Sequence, residues 1–251
     1  MSTPLAVQLY SLRDAMAQDF EGTIRRVAEI GYAGVETAGF PGTTPAAARK
    51  LFDELGLKIV SCHGPAPVGD TRSQALDLAA ALGVSRYVLP FSDPSLYTSL
   101  DGIRRVAEHL NACAAELKAN GVRFAYHNHW FEYTLVEGKP AMEHLLPLLT
   151  PDIEFELDLY WIKVGGQDPA SMIAKLGERV PLLHVKDGPA TTREAGQFAV
   201  GDGVMDYPAL LANHNAGWLV VELDQCDTDM FTAVTRSFSF LTSTGIAHGR
   251  R

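Results

Sequence analysis

A single (β/α)8 barrel is the fold that this 251-residue sequence predicts. Eight short β-rich segments alternate with eight amphipathic segments, in which apolar residues recur at helical spacing. Several amphipathic segments end in glycine just before the next β-rich segment, as helices do when a left-handed glycine caps them. Eight such units in about 250 residues correspond to the usual size of a (β/α)8 barrel.

The first half of the chain contains four predicted units. The strands cover residues 5–10, 34–39, 58–64 and 86–91, and the helices that follow them cover residues 20–31, 44–56, 73–83 and 100–121. In the first helix, Ile24 and Val27 lie on one apolar face and Gly31 ends the helix. The other three helices also close on a glycine, which supports the repeat.

The second half repeats the pattern. Its strands cover residues 123–129, 153–161, 181–187 and 218–225, and its helices cover residues 141–149, 168–177, 207–214 and 229–241. Near-continuous apolar runs predict parallel strands buried on both faces. A doubly wound open sheet is the alternative, but no strand precedes a GxGxxG pattern. Because no Pro/Ser-rich linker or charge run divides the chain, we expect one domain over residues 1–251.

The composition disfavours several classes of partner. A net charge of −9 makes nucleic acid and anionic membrane surfaces poor partners, since binding to them needs clustered Lys and Arg. No stretch approaches the roughly 20 consecutive apolar residues of a membrane span. The N-terminus lacks the basic and apolar regions of a secretory signal. The three cysteines show no CxxC spacing, so we expect a soluble protein in the reducing cytoplasm.

Ionisable side chains follow the predicted strands at their C-terminal ends, where barrel enzymes place catalytic groups. Six of the eight strands end in such groups: Glu36, His63, His127 with His129, Asp158, His184 with Lys186 and Asp187, and Glu222. Taken singly, each has a structural explanation, such as a hydrogen-bonded histidine or a helix cap. Because charged residues are rarely buried unless paired or coordinated, their convergence predicts a site. The remaining histidines are expected at the surface: His109, His144, His214 and His248.

The residue types at these strand ends indicate a metal centre. Imidazole mixed with hard oxygen donors suits Mn²⁺, Mg²⁺, Co²⁺ or Zn²⁺, and the absence of a thiolate argues against a structural zinc site. We expect one divalent metal ion held by Asp158, His184 and Glu222. The fourth ligand comes from the segment YHNH, where His127, Asn128 and His129 are the alternatives. Such a site keeps open coordination positions, which implies catalysis.

Seven motifs resemble those of the xylose isomerase-like TIM-barrel superfamily of sugar phosphate isomerases and epimerases, along essentially the whole chain: QLYSLRD, GYAGVE, SCHGP, YHNHWFEY, ELDLYWIKVGGQDP, LLHVKD and VVELD. The resemblance implies that Asp158, His184 and Glu222 are metal ligands. In the epimerases of this superfamily the fourth ligand is a Glu, and it falls at or near His127 here. Two Glu ligands flank the substrate carbon in those epimerases, so His127 weakens the case for symmetric two-carboxylate epimerisation.

The resemblance and the residues together predict an isomerase or epimerase that acts on a small sugar or a sugar-like polyhydroxy ketone or aldehyde. The reaction begins by removal of a proton next to a metal-bound carbonyl. Glu222 is the expected base, and His127 is a ligand or acid–base partner. We expect Lys186 to be a cationic anchor or acid if its strand ends at His184, and to point away if the strand continues. The residues expected to contact substrate or to orient the ligands are Tyr10, Glu36, His63, His129, Glu132, Trp161 and Asp187.

Two other functions are alternatives to an isomerase or epimerase. The first alternative is a lyase on the same scaffold, either similar to inosose dehydratase or acting by β-elimination from a 3-keto sugar. The second is a barrel that binds a sugar without converting it. The abasic-site nucleases of the superfamily fit poorly, because Trp161 stands where they have a further metal-binding His and the acidic surface suits DNA badly. Self-association into a homo-oligomer is expected only by analogy.

Overall fold

The computed structural model describes residues 2–250, so the terminal residues of the expected domain, 1 and 251, lie outside the described part. Eight parallel strands form a closed barrel, in which each strand pairs with the next and β8 pairs with β1. The strands are β1 (Thr3–Gln8), β2 (Gly34–Thr37), β3 (Lys58–His63), β4 (Arg86–Leu89), β5 (Arg123–His127), β6 (Glu154–Asp158), β7 (Leu182–Val185) and β8 (Trp218–Val221). This arrangement confirms the predicted fold.

The barrel closes through a regular register. Leu5, Ala6 and Val7 of β1 face Leu219, Val220 and Val221 of β8. Outside the barrel, the short strand Ala247–His248 pairs in parallel with the first residues of β1. A two-residue hairpin, Leu135–Val136 with Lys139–Pro140, follows β5.

A helix follows each strand, as the repeat requires. These helices are α1 (Phe20–Ile30), α2 (Pro45–Glu54), α3 (Arg72–Leu82), α4 (Leu100–Ala119), α5 (Ala141–Leu145), α6 (Pro169–Leu176), α7 (Tyr207–Leu210) and α8 (Met230–Ser243). Two further short helices are Arg13–Gln18 and Leu159–Val164. The 3-10 turns are Leu9–Leu12, Gly69–Thr71, Pro94–Thr98, Phe131–Tyr133, Leu146–Leu148 and Gly177–Arg179. Within residues 2–250, no helix combines the length and the apolar character needed to cross a membrane.

Local hydrogen bonding explains where the observed boundaries differ from the predicted ones. The sixth strand ends at Asp158, because the Asp158 carboxylate accepts a hydrogen bond from the Trp161 N–H at 2.9 Å and starts the helix Leu159–Val164. The predicted helix 141–149 ends at Leu145 and continues as a 3-10 turn that contains Pro147. The predicted helix 207–214 shortens to α7.

The interior of the barrel is layered. At the N-terminal rim, Arg86 donates to Glu154 at 2.6 Å. Above this pair the interior is apolar, since two small clusters pack against Trp218: Ala6, Val60 and Val220, and Val88, Ala125 and Leu182. The next layer toward the C-terminal ends is ionisable. The main hydrophobic core lies outside the barrel, between the strands and the helices.

Gly102, in the first turn of α4, gives a test of the packing between this helix and the turn before it. A Cβ at residue 102 would lie 2.1 Å from the backbone carbonyl oxygen of Leu96, which cannot rotate away. Although alanine is the better helix former by about 1 kcal/mol, we expect Gly102→Ala to lower the free energy of unfolding by about 1–3 kcal/mol. Thermal unfolding measures the change.

Gly217→Ala is the matched control, because a Cβ at residue 217 would meet only the Pro181 carbonyl oxygen, at 3.7 Å. Its melting temperature should equal that of the wild type. A Gly102→Ala variant as stable as this control would contradict the packing argument.

Candidate active site

The ionisable strand-end residues meet inside the barrel, above its apolar layer. Alternation along β5, β7 and β8 turns His127, His184 and Glu222 toward the axis, on the same faces as Ala125, Leu182 and Val220. The pairing register between β2 and β3 shifts by one residue after Val35, so that Glu36 pairs with Ser61 rather than with Val60. His63 lies two residues beyond this shift. This irregularity lets β3 direct both Val60 and His63 inward, while Cys62 joins the outer core.

Both ring nitrogens of His184 contact carboxylates, which fixes the orientation of the imidazole. Its Nε2 lies 2.7 Å from Glu36 Oε2, and its Nδ1 lies 2.8 Å from Glu222 Oε2. Glu36 also accepts hydrogen bonds from Gln8 Nε2, at 2.7 Å, and from the Ser61 hydroxyl. Burial works against ionisation of Glu36, yet His63 and His184 hold its pKa well below the ordinary value. A buried carboxylate with several donors is therefore the fixed support for His184.

Glu156 is a central residue that the sequence reasoning missed. One carboxylate oxygen, Oε2, lies 2.7 Å from His63 Nε2, 3.1 Å from His127 Nδ1 and 3.2 Å from His184 Nε2. Burial lowers the pKa of His63, but Glu36 and Glu156 outweigh that effect and raise it to about 10. The signal was present in the sequence, because residues 156 and 158 must share the inward face of one strand.

Lys186 lies at the centre of the carboxylates. Its ammonium nitrogen is 2.9 Å from Asp158 Oδ2, 2.7 Å from Glu222 Oε2 and 2.7 Å from Asp224 Oδ2. The strand continues to Val185, so the expectation that a continuing strand would turn Lys186 away is wrong: side chains two apart share a face. Burial raises the pKa of Glu222, but Lys186 and His184 outweigh it and hold that pKa well below the ordinary value.

Two further residues connect Lys186 to the loop between β7 and α7. Asp224, two positions beyond Glu222, accepts a hydrogen bond from Gln197 Nε2 at 3.1 Å. The backbone N–H of Asp224 donates in turn to Gln197 Oε1 at 2.7 Å. Alternation from Glu222 would have identified Asp224 in the sequence. No local pattern announces Gln197, because its loop reaches the site only through the tertiary fold.

Two overlapping groups of side chains could hold a metal ion, each with its ligand atoms within 4.8 Å of one another: His127, Asp158, His184 and Glu222, and His63, His127, Glu156 and His184. The first group is the set expected from the sequence. His127 Nδ1 and Asp158 Oδ2 are buried, and each faces one ionisable partner: Glu156 Oε2 at 3.1 Å from the imidazole and the Lys186 ammonium at 2.9 Å from the carboxylate. Imidazole nitrogens and carboxylate oxygens are donors of the types that divalent cations accept. Asn128 and His129 belong to neither group. The Asn128 amide is occupied by the Asp158 backbone, with its Oδ1 accepting from the Asp158 N–H at 3.0 Å.

A cavity of about 410 Å³ opens onto these groups from solvent. Its wall contains Glu222 and Asp224 from the end of β8, and the imidazoles of His63, His127 and His129. Burial lowers the pKa of His129 to about 4, so its ring is neutral near pH 7. The remaining lining is backbone or apolar, and it comes from Tyr10, Ala38, Gly39, Gly64, Pro90 and Phe91. The volume suits a small polar molecule.

Three residues expected as substrate contacts lie behind the cavity wall. Glu36 is fully buried beneath His184. Glu132 accepts from the Tyr126 hydroxyl at 2.6 Å and from the His129 N–H at 2.8 Å, so it holds the loop after β5. Asp187 accepts from the backbone N–H groups of Gly188, Gly201 and Met205, so it anchors the loop after β7. All three act on neighbouring protein groups in this structure.

Trp161 lies beside the cavity, in a lateral recess, and Tyr10 lines both spaces. Of the other expected site residues, His63, His127, His129 and Glu222 line the cavity, and Asp158 contacts Lys186. His184 lies behind them, between Glu36 and Glu222. The histidines expected at the surface are exposed or partly exposed, and none of the four belongs to a candidate metal group.

Glu132 gives a pH-dependent test of this arrangement. Burial raises the pKa of its carboxyl to about 7 in the folded protein, against roughly 4.3 when unfolded. The folded state thus binds the proton more tightly, and stability from this group is lost as pH rises toward 7. We expect the wild type to lose about 3 kcal/mol more than Glu132→Gln between pH 4.5 and 8. Denaturant unfolding with a chelator present measures this.

Glu29→Gln, at an exposed position of α1, is the control and should follow the wild-type profile. Parallel profiles for the wild type and Glu132→Gln would show that the Glu132 carboxyl does not titrate as described.

Comparisons with known proteins agree with the geometry. The rhizopine catabolism protein MocC of Rhizobium meliloti is 26% identical over 247 residues, covering 82% of this chain and 74% of MocC. Inosose dehydratase of Geobacillus kaustophilus is 28% identical over 155 residues, about half of each chain. A crystal structure of a sugar phosphate isomerase/epimerase from Parabacteroides distasonis superposes with a TM-score of 0.81 at 26% identity, covering 98% of this chain and 96% of the other.

The match to a protein family covers most of the barrel. The family described as xylose isomerase-like TIM barrel matches residues 24–241, from the first helix to the last. Those residues contain seven of the eight strands and every candidate metal ligand described above. This chain therefore belongs to the xylose isomerase-like TIM-barrel family.

Proposed function

We propose that the protein is a divalent-metal-dependent isomerase of a small carbohydrate, an enzyme that moves a proton between two adjacent carbons of a polyhydroxy ketone or aldehyde. One observation carries the proposal. The cavity wall contains a buried, ionised carboxylate, Glu222, which belongs to a group of potential metal ligands, together with the imidazoles of His63, His127 and His129. Relatives in the family are described as isomerases, epimerases and dehydratases, which supports enzymatic rather than merely binding activity.

The distribution of carboxylates in the cavity wall favours proton transfer on one face. Both carboxylates that line the cavity, Glu222 and Asp224, come from the end of β8. Lys186 contacts both carboxylates, but Glu222 belongs to a candidate metal group and Asp224 does not, which makes Glu222 the better-placed base. The position expected to carry a second glutamate is His127, and burial holds the pKa of His127 well below its ordinary value. Inversion by two carboxylates on opposite faces therefore has less support than removal and return of a proton by one.

The residues present fit a divalent cation, and His127 and His184 belong to both candidate groups. When bound, a divalent cation supplies a Lewis acid that orients and polarises the substrate carbonyl. In the proposed reaction, the Glu222 carboxylate takes the proton from the hydroxyl-bearing carbon next to that carbonyl and returns it to the carbonyl carbon, while the proton of that hydroxyl group passes to the former carbonyl oxygen. Lys186, buried and cationic, lies 2.7 Å from Glu222 and keeps that carboxylate ionised in the free enzyme. Glu36 orients His184 from behind.

Elimination of water is the second candidate, and the same asymmetry supports it. Loss of a β-hydroxyl group from a keto sugar also needs only one strong base. Inosose dehydratase is among the relatives. Because the match spans about half of that chain, the substrate of inosose dehydratase is not assigned to this protein. Lys186 would then be the proton donor nearest to Glu222, at 2.7 Å. The two candidates differ in product, because elimination creates a conjugated carbonyl that absorbs in the ultraviolet.

The metal content of the purified protein tests the proposed metal centre. The purified protein, incubated with Mn²⁺ and desalted, should contain close to one equivalent of divalent metal by inductively coupled plasma mass spectrometry. Asp158→Asn and His127→Ala should each weaken metal affinity at least about 100-fold, because each removes a ligand. His109→Gln, at an exposed helix position, is the control and should retain the metal. A wild-type protein that takes up no metal would overturn the proposed chemistry.

Deuterium incorporation during the reaction tests whether Glu222 is the base. Once a panel of aldoses, ketoses and cyclic polyol ketones has identified a substrate, the reaction in D₂O should place deuterium on a carbon next to the carbonyl. Glu222→Gln should lower kcat by about 10²–10⁴ and suppress the exchange, because it removes the proton acceptor. Glu108→Gln, exposed on α4, is the control. A new ultraviolet band in the product would favour elimination, and unchanged exchange in Glu222→Gln would exclude Glu222 as the base.

A further inference from the structure

A second recess adjoins the catalytic cavity. It has a volume of about 350 Å³ and shares four lining residues with that cavity: Tyr10, Phe91, His129 and Asp224. Its other walls come from Trp130, Trp161, Arg193, Gln197 and Gln225. We call this space the aromatic recess. Because these four residues border both spaces, one ligand can extend from the cavity into the recess.

The aromatic recess offers ring faces rather than a hydrocarbon core. Trp130 and Trp161 lie with ring centroids 4.9 Å apart and interplanar angle 60°, which forms an angled platform. Tyr10 is 42% exposed and Phe91 is 53% exposed, which is unusual for large aromatic side chains and places both at the mouth. Aromatic faces of this kind pack against the C–H faces of a sugar ring or against another planar ring.

The polar groups of the recess favour a neutral occupant over an anionic one. The Gln197 side chain is engaged with Asp224, and Gln225 Nε2 donates to the backbone carbonyl groups of residues 193–195. The Arg193 guanidinium lies 4.9 Å from the Trp130 ring centroid and has no carboxylate partner among residues 2–250. One exposed guanidinium opposite the Asp224 carboxylate is a poor phosphate site, which needs several convergent donors.

The recess is also separated from the reacting groups. Trp161 forms a wall of the recess close to Lys186, with 5.3 Å between the Lys186 ammonium nitrogen and the centroid of the Trp161 ring. Of the three carboxylates that contact Lys186, Asp224 lines the recess, whereas Asp158 and Glu222 do not. A ring held in the recess contacts aromatic faces and the Arg193 donor, while Glu222 lines only the first cavity. The part of a ligand in the recess is therefore recognised and not converted.

We infer that the substrate is a two-ring glycoside, whose reacting carbohydrate unit occupies the catalytic cavity and whose second ring packs on Trp130 and Trp161 in the aromatic recess. This inference rests on the proposed function and extends it, because the recess adds an aromatic-lined space beyond the cavity that contains Glu222. Trp130 and Arg193 then determine specificity for the second ring. Neither contacts Glu222 or a candidate metal ligand directly.

Intrinsic fluorescence can test the recess without turnover. The chain has three tryptophans, and Trp218 packs in the apolar layer at the other end of the barrel, so a Trp218→Phe background leaves Trp130 and Trp161 as the reporters. In that background, loaded with Mn²⁺, the probes are cellobiose, gentiobiose, maltose, sucrose and trehalose, each titrated beside glucose and fructose. We expect at least one disaccharide to change the emission with a dissociation constant about tenfold lower than that of its constituent monosaccharides.

Variants separate the recess from the cavity. Trp130→Ala and Arg193→Ala should each remove the advantage of the disaccharide, and the exposed Arg193 tests the recess without a risk to folding. Leu148→Ala, which removes an exposed apolar side chain before β6, should leave all affinities unchanged. If no disaccharide binds more tightly than its monosaccharides, or if Trp130→Ala and Arg193→Ala preserve the difference, the inference is overturned.

The binding and exchange experiments distinguish failure of the two-ring substrate from failure of the proposed isomerase reaction. Deuterium exchange into a monosaccharide without any disaccharide advantage would retain the isomerase and refute the two-ring substrate. Disaccharide binding that depends on Trp130 and Arg193, without any exchange, would retain the recess and refute the isomerase.

Discussion

The arrangement of buried charges inside the barrel depends on the ion pairs of Lys186 with Asp158, Glu222 and Asp224. An isolated charge buried away from water costs several kcal/mol, and removing one partner of a buried pair leaves that cost uncompensated. Lys186 supplies the one buried ammonium in this layer, and the charged imidazoles of His63 and His184 offset the remaining carboxylates. The strand ends are therefore joined by a connected set of charges, from Glu36 on β2 to Glu222 after β8. A cation that enters the site joins a layer that is already organised around positive charge.

The fold was predictable because one local pattern repeats eight times. Each helix has an apolar face and each strand is buried, so the parallel barrel follows from the repeat without knowledge of any long-range contact. The boundaries were less predictable where a side chain competes with the strand or helix. Asp158 ends its strand because its carboxylate satisfies a free N–H group of the following helix, and Pro147 interrupts the helix predicted to reach residue 149.

The site was predictable to the extent that it lies on strands. Five residues lie within one position of the C-terminal ends of their strands, and closure of the barrel brings them together: His63, His127, Asp158, His184 and Glu222. Glu156 and Asp224 were not among the predicted residues, although alternation puts each on the inward face, two positions from Asp158 and Glu222. Gln197 and the supporting role of Glu132 depend on how loops return to the barrel, and no periodicity in the sequence encodes that.

Asp187 divides the long connection between β7 and α7 into unequal parts. One carboxylate and one carbonyl group of this residue accept hydrogen bonds from the backbone at residues 188, 198, 201 and 205. The entropy of closing this connection is thus distributed over short segments, and residues 189–197 form the longest segment between the backbone groups that Asp187 binds. Arg193 lies in that part, whereas Lys186 directly precedes the tether. Insertions and substitutions at residues 189–196 can therefore reshape the recess while the geometry around Glu222 is retained, so this short segment is where relatives with the same chemistry can diverge in what they accept.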